Sequence, residues 1–402
     1  MKTNTVLRGL IRHTQTKTLA LGMLSAGLAG NLLAQAPCPA VETFATGLLA
    51  PSKIIQSPRG NFLVAEGGPE VPNHGRISTV DQQGQRRTLI EGLPSARTFV
   101  GDFNGTTGLE LQGRTLYVLN GQGDVTLAGP VPGTERANPT PSSPIFSSVL
   151  AVHFSAAMEA TTTGVALTLA DHQALKYGQT LTRTDASGQQ MTIRLLVDFP
   201  DYAPEPRPTF AENVRHCHPY GIVADEDYLY IVDAGFNRVR KVDIFSGAYE
   251  TLASFPPTPN PRFPAGPPFI ENVPTSIHWN GDQLVVTLLS GAPFFLPSYS
   301  TVQQVDPQSG AIAPLIMGLS SAIDSLYLGA EESGTGLLTL EHNLTFPAPG
   351  PGRLQFFPTL GASPIALAEC LTTPTSMVLD RKHGRVVISE LATGRLVALE
   401  SR

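Results

Sequence analysis

The chain has 402 residues and a formal net charge of -6, and 41% of its residues are hydrophobic. This apolar content is high enough to form a core and excludes a disordered chain. The 38 glycines and 35 prolines add many turn-forming residues, and the combination is typical of short strands joined by tight turns. The excess of acidic groups argues against nucleic-acid binding, so we expect no nucleic-acid partner.

The first predicted element is a targeting segment over residues 1–36. Basic residues come first, and an apolar run of small residues follows from Thr18 to Ala36. This order predicts a signal peptide, because the run is too short and too rich in glycine for a membrane span. We therefore expect a periplasmic or secreted protein with no transmembrane segment after cleavage. Cleavage after Ala34 and after Ala36 both remain open.

Beyond residue 40 the chain is predicted to be strand, and a unit of about 50 residues recurs along it. Each unit has a short first strand, a more apolar second strand that mostly ends in an acid or amide, a third strand and a fourth. Clear copies begin at Pro51, Pro219, Pro274 and Pro374, and weaker copies begin near Thr107 and Ile323. The repeat predicts an all-β fold, a six-bladed β-propeller with four-stranded antiparallel blades around a central channel.

The segment 125–200 departs from this spacing, because it makes one interval between repeats twice as long. We favour a long insertion within the second blade of a single propeller domain over residues 37–402. A degenerate extra blade, which would make seven, is the alternative.

The two ends of the chain predict how the ring closes. The last repeat stops after its third strand, and Val41–Leu48 resembles a fourth strand that has no blade of its own. Its pairing with Gly394–Glu400 would remove two exposed edges. Of the three cysteines, Cys38, Cys217 and Cys370, at most two can pair within the chain. Closure would bring Cys38 near Cys370, so we predict that disulfide.

Several stretches resemble the ScyD/ScyE family of exported propeller proteins. They are HPYGIVADEDYLYIVDAG, GRISTVDQQGQ and FPPTPNPRFPAGPPFIENVPTSIHWNGDQLVVTLLSGAPFF. The Val-Asp strand endings are shared with NHL-type propellers generally. The resemblance spans most of residues 41–402 and implies a six-bladed propeller outside the cytoplasm. The family has no established activity, so the resemblance implies fold and location alone.

Two sets of polar side chains are predicted to share one rim of the channel, because antiparallel first strands start where second strands end. The first set comprises Lys53, Thr107, Tyr220, Thr275, Asp324 and Thr375, with His216 and His218 nearby. The second set comprises Glu66, Asn120, Asp233, Glu341 and Glu390, with Leu288 or Leu289 interrupting it in the fourth blade.

These rim residues allow two interpretations. Converging carboxylates and amides could hold calcium through oxygen ligands. Alternatively, each acid caps the turn after its own strand by accepting backbone N–H bonds, which we favour for any single member. His216 and His218 could point to one side of an extended segment, but two imidazoles are too few for a structural zinc site.

The sequence contains no nucleophile elbow, HExxH helix or nucleotide-binding loop. The leading hypothesis is therefore a monomeric propeller that binds a small molecule or protein without established catalysis. Its recognition surface would be the rim with the proline-rich segments 129–144 and 256–272. The alternative is a calcium-dependent enzyme of the propeller lactonase or sugar-dehydrogenase type. No cofactor is evident, and calcium is the one considered.

Overall fold

The structure, a computed structural model, describes residues 38–292, 294–328 and 336–400. Its strands form six main sheets, each built on four antiparallel strands, together with four short two-stranded ribbons. The six-bladed all-β prediction is confirmed, and six blades rather than seven are formed. The predicted signal peptide, residues 1–36, lies outside the described residues.

The first three blades occupy the N-terminal half of the chain. The first strand is β1 (Glu42–Ala45). Blade 1 consists of β2 (Pro51–Gln56), β3 (Phe62–Glu66), β4 (Gly75–Val80) and β5 (Arg86–Leu93). The ribbon β6 (Ala96–Arg97) and β7 (Phe103–Asn104) follows it. Blade 2 consists of β8 (Thr106–Gln112), β9 (Thr115–Asn120), β12 (Ser148–Phe154) and β15 (Gln190–Asp198). Within blade 2 lie the ribbon β10 (Thr126–Ala128) and β11 (Glu135–Ala137), the helices α1 (Ala156–Thr161) and α2 (Leu169–Lys176), and the strands β13 (Val165–Ala166) and β14 (Leu181–Thr184). The ribbon β16 (Tyr202–Pro204) and β17 (Val214–His216) leads to blade 3, which consists of β18 (Pro219–Ala224), β19 (Tyr228–Asp233), β20 (Arg238–Asp243) and β21 (Tyr249–Ser254).

The remaining three blades complete the ring. After the ribbon β22 (Thr258–Pro259) and β23 (Phe269–Ile270), blade 4 consists of β24 (Asn272–Asn280), β25 (Gln283–Ser290), β26 (Ser300–Val305) and β27 (Ile312–Leu319). Blade 5 consists of β28 (Ala322–Tyr327), β29 (Leu337–Glu341), β30 (Gly352–Phe357) and β31 (Ile365–Leu371). Blade 6 consists of β32 (Pro374–Asp380), β33 (Arg385–Glu390), β34 (Arg395–Glu400) and β1.

The first strand of each blade contacts the first strand of the next, in the closed order β2, β8, β18, β24, β28, β32 and back to β2. The core follows the same order, because a separate hydrophobic cluster fills each of the six spaces between adjacent blades. A single blade cannot bury both faces of its sheet, so the ring is stable only when neighbouring blades stack.

The N-terminal strand closes the ring as predicted. In β1, Glu42 pairs with Ala398 and Thr43 pairs with Val397 of β34. Cys38 and Cys370 form a disulfide, the pairing that this closure predicts, and Cys217 is a buried free thiol.

Residues 125–200 contain the two outer strands of blade 2 together with additional elements. β13 adds to the outer edge of blade 1 in parallel to β5, and β14 adds to β15 of blade 2. Ser155 caps α1, and Thr168 forms a capping box with Asp171 at the start of α2. These elements cover edge strands that would otherwise be exposed. The assignment of one domain to residues 37–402 stays a prediction.

The antiparallel order places two kinds of connection on one face of the ring, which we call the rim face. They are the links between second and third strands and the links between successive blades. All four ribbons and both proline-rich segments lie in such connections, whereas the short turns 225–227 and 281–282 lie on the opposite face. No helix in the described part of the chain is long and apolar enough to cross a membrane.

Candidate functional site

The four acids of the predicted rim series are fully buried and lie within ion pairs of their own blades. Each ends a second strand and meets an arginine of the third strand. The arginine nitrogen to carboxylate oxygen distances are 2.7 Å for Arg76 and Glu66, 2.7 Å for Arg240 and Asp233, 2.5 Å for Arg353 and Glu341, and 2.6 Å for Arg395 and Glu390. Each carboxylate also accepts one backbone N–H group just before the inner strand, such as His218 N to Asp233 and Thr372 N to Glu390.

Blades 2 and 4 have no acid at this position. The Asn120 amide donates to Ile145 O and to the Ser148 hydroxyl, and Leu288 occupies the equivalent position in blade 4, where it pairs with Pro274. Because the acid oxygens already accept these bonds, the series does not fit a calcium cage. The arrangement is the capping one, strengthened by arginine. No group of three or more His, Cys, Asp or Glu residues within the described ranges could hold a metal ion.

The predicted threonines on the inner strands link neighbouring blades. Thr375 Oγ1 donates to Pro51 O at 2.8 Å, Thr107 Oγ1 donates to Pro219 O at 2.7 Å, and Thr275 Oγ1 reaches Ala322 O at 3.4 Å. Each bond joins the first strand of one blade to the first residue of the next inner strand. These side chains therefore stabilise the ring, and their hydroxyls are engaged.

Asp324 is the centre of a buried polar cluster in the channel, which we call the channel cluster. One carboxylate oxygen lies 2.8 Å from His278 Nε2 of blade 4, and the other lies 3.5 Å from Lys53 Nζ of blade 1 and accepts Ser376 Oγ and Met377 N of blade 6. Burial opposes ionisation of Asp324, but the charge of Lys53 and the contact with His278 outweigh it and hold the pKa below its usual value. Asp324, a residue of blade 5, is thereby connected to blades 1, 4 and 6.

Glu110 of blade 2 interacts electrostatically with Lys53, so we include it in the channel cluster. Burial raises the pKa of this carboxyl to about 7, although a bond with the Ala224 backbone and the charge of Lys53 oppose the rise. Glu110 therefore changes charge near neutral pH, a property that its place on an inner strand creates and that no sequence motif indicates.

His216, His218 and Tyr220 form a column of rings that runs from the rim face into the channel, with an edge-to-face contact between the two histidines. The His216 and His218 rings lie 6.2 Å apart between centroids, and the His218 ring stacks on Tyr220 at 5.5 Å. Phe99 extends the column outward, with its centroid 5.5 Å from that of His216. Tyr220 packs against hydrophobic clusters on both sides of the channel, so it crosses the channel mouth. The alternating side chains of an extended segment produce this alignment, as predicted.

A carboxylate holds the outermost histidine. Glu135 of β11 lies 2.8 Å from His216 Nδ1 through Oε2, and the same oxygen accepts the Thr126 hydroxyl at 2.9 Å. The side chains of His216 and Glu135 are 19% and 12% exposed, so the pair can meet a ligand from the rim. We call Glu135, His216, His218 and Asn104 the rim histidine site.

His218 differs from His216 in its electrostatic state. Burial, with a further contribution from His216, lowers the pKa of His218 to about 3, so this imidazole is neutral at physiological pH. Asn104 lies 3.3 Å from its Nε2 and fixes the ring from the side. Burial also raises the pKa of Tyr220 to about 12, so its hydroxyl stays protonated.

The structure thus brings together some of the residues that the sequence singled out and separates others. His216, His218 and Tyr220 form one column, and Lys53 meets Asp324. Glu66, Asn120, Asp233, Glu341 and Glu390 each remain within their own blade, and Thr275 and Thr375 bond between blades. Sequence reasoning missed Glu135, Asn104, Glu110 and His278. The one available signal was that Glu135 falls within the flagged segment 129–144.

Comparisons with known proteins identify the fold alone. No protein-family profile matches the chain, and no curated protein does. Among solved structures, the PQQ-bound aldose sugar dehydrogenase of Streptomyces coelicolor is similar at 14% identity and a TM-score of 0.50, over 90% of this chain and 99% of that one. A putative glucose dehydrogenase of Thermus thermophilus matches at 14% identity and 0.43, over 89% and 98%. A nidogen/laminin complex matches at 10% and 0.38, over 63% and 71%. At 14% identity, the match to the aldose sugar dehydrogenase establishes a shared propeller architecture.

Proposed function

We propose that this protein is an exported propeller enzyme that binds a small hydroxylated substrate at the rim histidine site, with His216 as a general base. The Glu135 to His216 contact of 2.8 Å carries the proposal. A carboxylate on Nδ1 keeps the proton there and leaves Nε2 as the basic atom. An accessible, carboxylate-oriented histidine can accept a proton from a hydroxyl group within hydrogen-bond reach.

The neighbouring groups suit this role. Because His218 is neutral, it can bond to a substrate oxygen without repelling a protonated His216. Tyr220 bounds the inner end of the site with an aromatic face and a protonated hydroxyl. His216 as proton acceptor, His218 as neutral polar group and the Tyr220 ring as apolar wall thus lie together at the channel mouth. A few polar groups beside an apolar wall are typical of small-molecule sites.

Two reactions use this proton transfer. In one, His216 takes a proton from water as the oxygen attacks a lactone carbonyl, and it returns that proton to the departing alkoxide as the ring C–O bond breaks. The other would be the oxidation of an aldose, in which His216 would accept the hydroxyl proton and a quinone-class cofactor such as PQQ would supply the hydride acceptor. PQQ carries three carboxylates, whereas Arg215, the chain neighbour of His216, is already paired with Glu205 and Glu271, and Glu135 adds a further carboxylate to the site. This charge does not fit that cofactor, so we prefer the hydrolytic reaction.

A binding protein without catalysis is the second candidate. It is favoured by the fact that Glu135 and His216 also attach the β10–β11 ribbon to β17 through a side-chain bond. The disulfide and the predicted signal peptide support export. Membership of the ScyD/ScyE family remains a proposal that rests on the quoted sequence stretches.

The test measures lactone hydrolysis in a pH-stat and, separately, dye-linked aldose oxidation with added PQQ and calcium. We expect His216→Gln and Glu135→Gln to lower kcat by about 10²-fold or more, which is the usual contribution of a general base. His153→Gln is the matched control, because His153 is an exposed histidine of blade 2 that bonds only to Thr115 among its described hydrogen-bond partners. Absence of turnover with every substrate, or equal loss in the control, would overturn the enzyme proposal. Binding without turnover would support the second candidate.

A further inference from the structure

Two loops on the rim face share one sequence and one hydrogen-bond pattern. Residues 260–268 (NPRFPAGPP) and 343–351 (NLTFPAPGP) both contain Asn-x-x-Phe-Pro-Ala. The first connects blades 3 and 4, and the second connects the second and third strands of blade 5. The blade repeat does not explain this similarity, because the two loops occupy different places in their blades. We call them the twin loops.

A buried asparagine organises each twin loop. Asn260 Oδ1 accepts Arg262 N at 2.8 Å, and Asn343 Oδ1 accepts Thr345 N at 2.9 Å. The same side chains donate back to loop carbonyls, Asn260 to Pro267 at 2.7 Å and Asn343 to Ala348 at 2.9 Å. Both loops are thus held in shape by their own hydrogen bonds without a ligand, which lowers the entropic cost of binding.

A dipeptide of blade 4 joins the two loops into one surface. Phe294 packs so closely on Gly266 of the first loop that a side chain there would clash with its ring. Phe295 makes an edge-to-face contact with Phe346 of the second loop at 4.4 Å between centroids. Phe295 also has a φ of +44°, a conformation that is rare for a bulky residue and concentrates at functional sites.

The surface is apolar and carries a positive charge. Phe263 is 61% exposed and Phe269 is 53% exposed, and both lie in the connection between blades 3 and 4. Arg262 lies over the Phe294 ring at 5.6 Å, and it makes no ion pair with an acid in the described residues. By contrast, Arg215 nearby is paired with Glu205 and Glu271. In an acidic protein, an unpaired arginine beside exposed aromatic rings favours an anionic ligand.

We propose that the twin loops bind an acidic polysaccharide, a chain of uronate rings. Each loop offers the phenylalanine of its Phe-Pro-Ala stretch to a ligand whose units repeat, and the second contact then benefits from a high effective concentration. Sugar rings stack on the exposed Phe263 and on the half-buried Phe346, and a carboxylate pairs with Arg262, which the first loop alone carries. This inference does not need the proton transfer proposed for His216.

The test titrates the mature protein with polygalacturonate oligomers by calorimetry and with dextran oligomers of the same length. We expect binding of the uronate oligomers that strengthens with chain length and weakens with salt. Arg262→Gln and Phe263→Ala should each reduce the affinity by up to about tenfold. Phe245→Ala is the matched control, because Phe245 is 78% exposed on the opposite face of the ring.

Several results would overturn the proposal. They are no uronate binding at millimolar concentration, equal binding of dextran, and an equal loss of affinity in the Phe245→Ala control. Binding of anilinonaphthalene sulfonate alone, lost in Phe263→Ala, would identify a planar aromatic ligand instead. His216→Gln should leave uronate affinity unchanged, so failure of either proposal is visible separately.

Discussion

Glu110 makes the stability of the propeller depend on pH, and the substitution Glu110→Gln should remove that dependence. The pKa of this carboxyl is about 7 in the folded protein because of its burial, against an ordinary value of 4.5. Below about pH 4.5 the group is protonated in both states. Between these values only the unfolded chain ionises, so the folded state loses relative stability as the pH rises through 7.

The size of the effect follows from this difference in pKa. Each pKa unit corresponds to about 1.4 kcal/mol, so Glu110 reduces the free energy of unfolding by about 3 kcal/mol above pH 8 relative to pH 4. Glutamine has nearly the same shape and no charge to desolvate. We therefore expect Glu110→Gln to differ least from the wild type at pH 5 and to exceed its stability most at pH 8.

The assay is urea unfolding of the oxidised protein at four pH values from 5 to 8. Glu226→Gln is the matched control, because it removes the same charge from an exposed turn on the opposite face. A difference between wild type and Glu110→Gln that changes by less than about 1 kcal/mol over this range would refute the reasoning.

Two further predictions concern the channel cluster and the ring closure. Asp324→Asn should destabilise the protein by about 3–5 kcal/mol, because it leaves the buried Lys53 ammonium without its partner. Urea unfolding at pH 7 measures this loss, and a value of less than about 1 kcal/mol would contradict the prediction. Cys38→Ser with Cys370→Ser should cost about 5 kcal/mol, since the bond constrains a loop with a sequence separation of 332, and thermal unfolding should then begin at a lower temperature than in the oxidised wild type.

The architecture could be predicted from the amino-acid sequence alone. Repeated units of strand, turn and strand predicted the propeller, because a four-stranded blade cannot be stable until its neighbours cover it. The strand before Pro51 that has no blade of its own and the three predicted strands of the last repeat together predicted the closure that β1 and β34 form. Local patterns suffice here, since strand alternation and turn residues act over a few positions.

The partners of the rim acids could also have been recognised from the sequence. Three third strands begin with a repeated Gly-Arg pair, at Arg76, Arg353 and Arg395, and each arginine pairs with the acid that ends the preceding strand. That recurrence is a signal of structural ion pairs, and it favours capping over a calcium cage.

The contacts in the channel and at its mouth could not be predicted from the sequence. Lys53 and Asp324 are separated by most of the chain, and Glu135 meets His216 across two different connections. Each contact forms because the closed ring brings segments that are distant in the sequence close together in space. No local sequence pattern encodes such a contact. The pKa of Glu110 likewise follows from burial inside the closed ring, because desolvation is a property of the assembled blades and not of the residue.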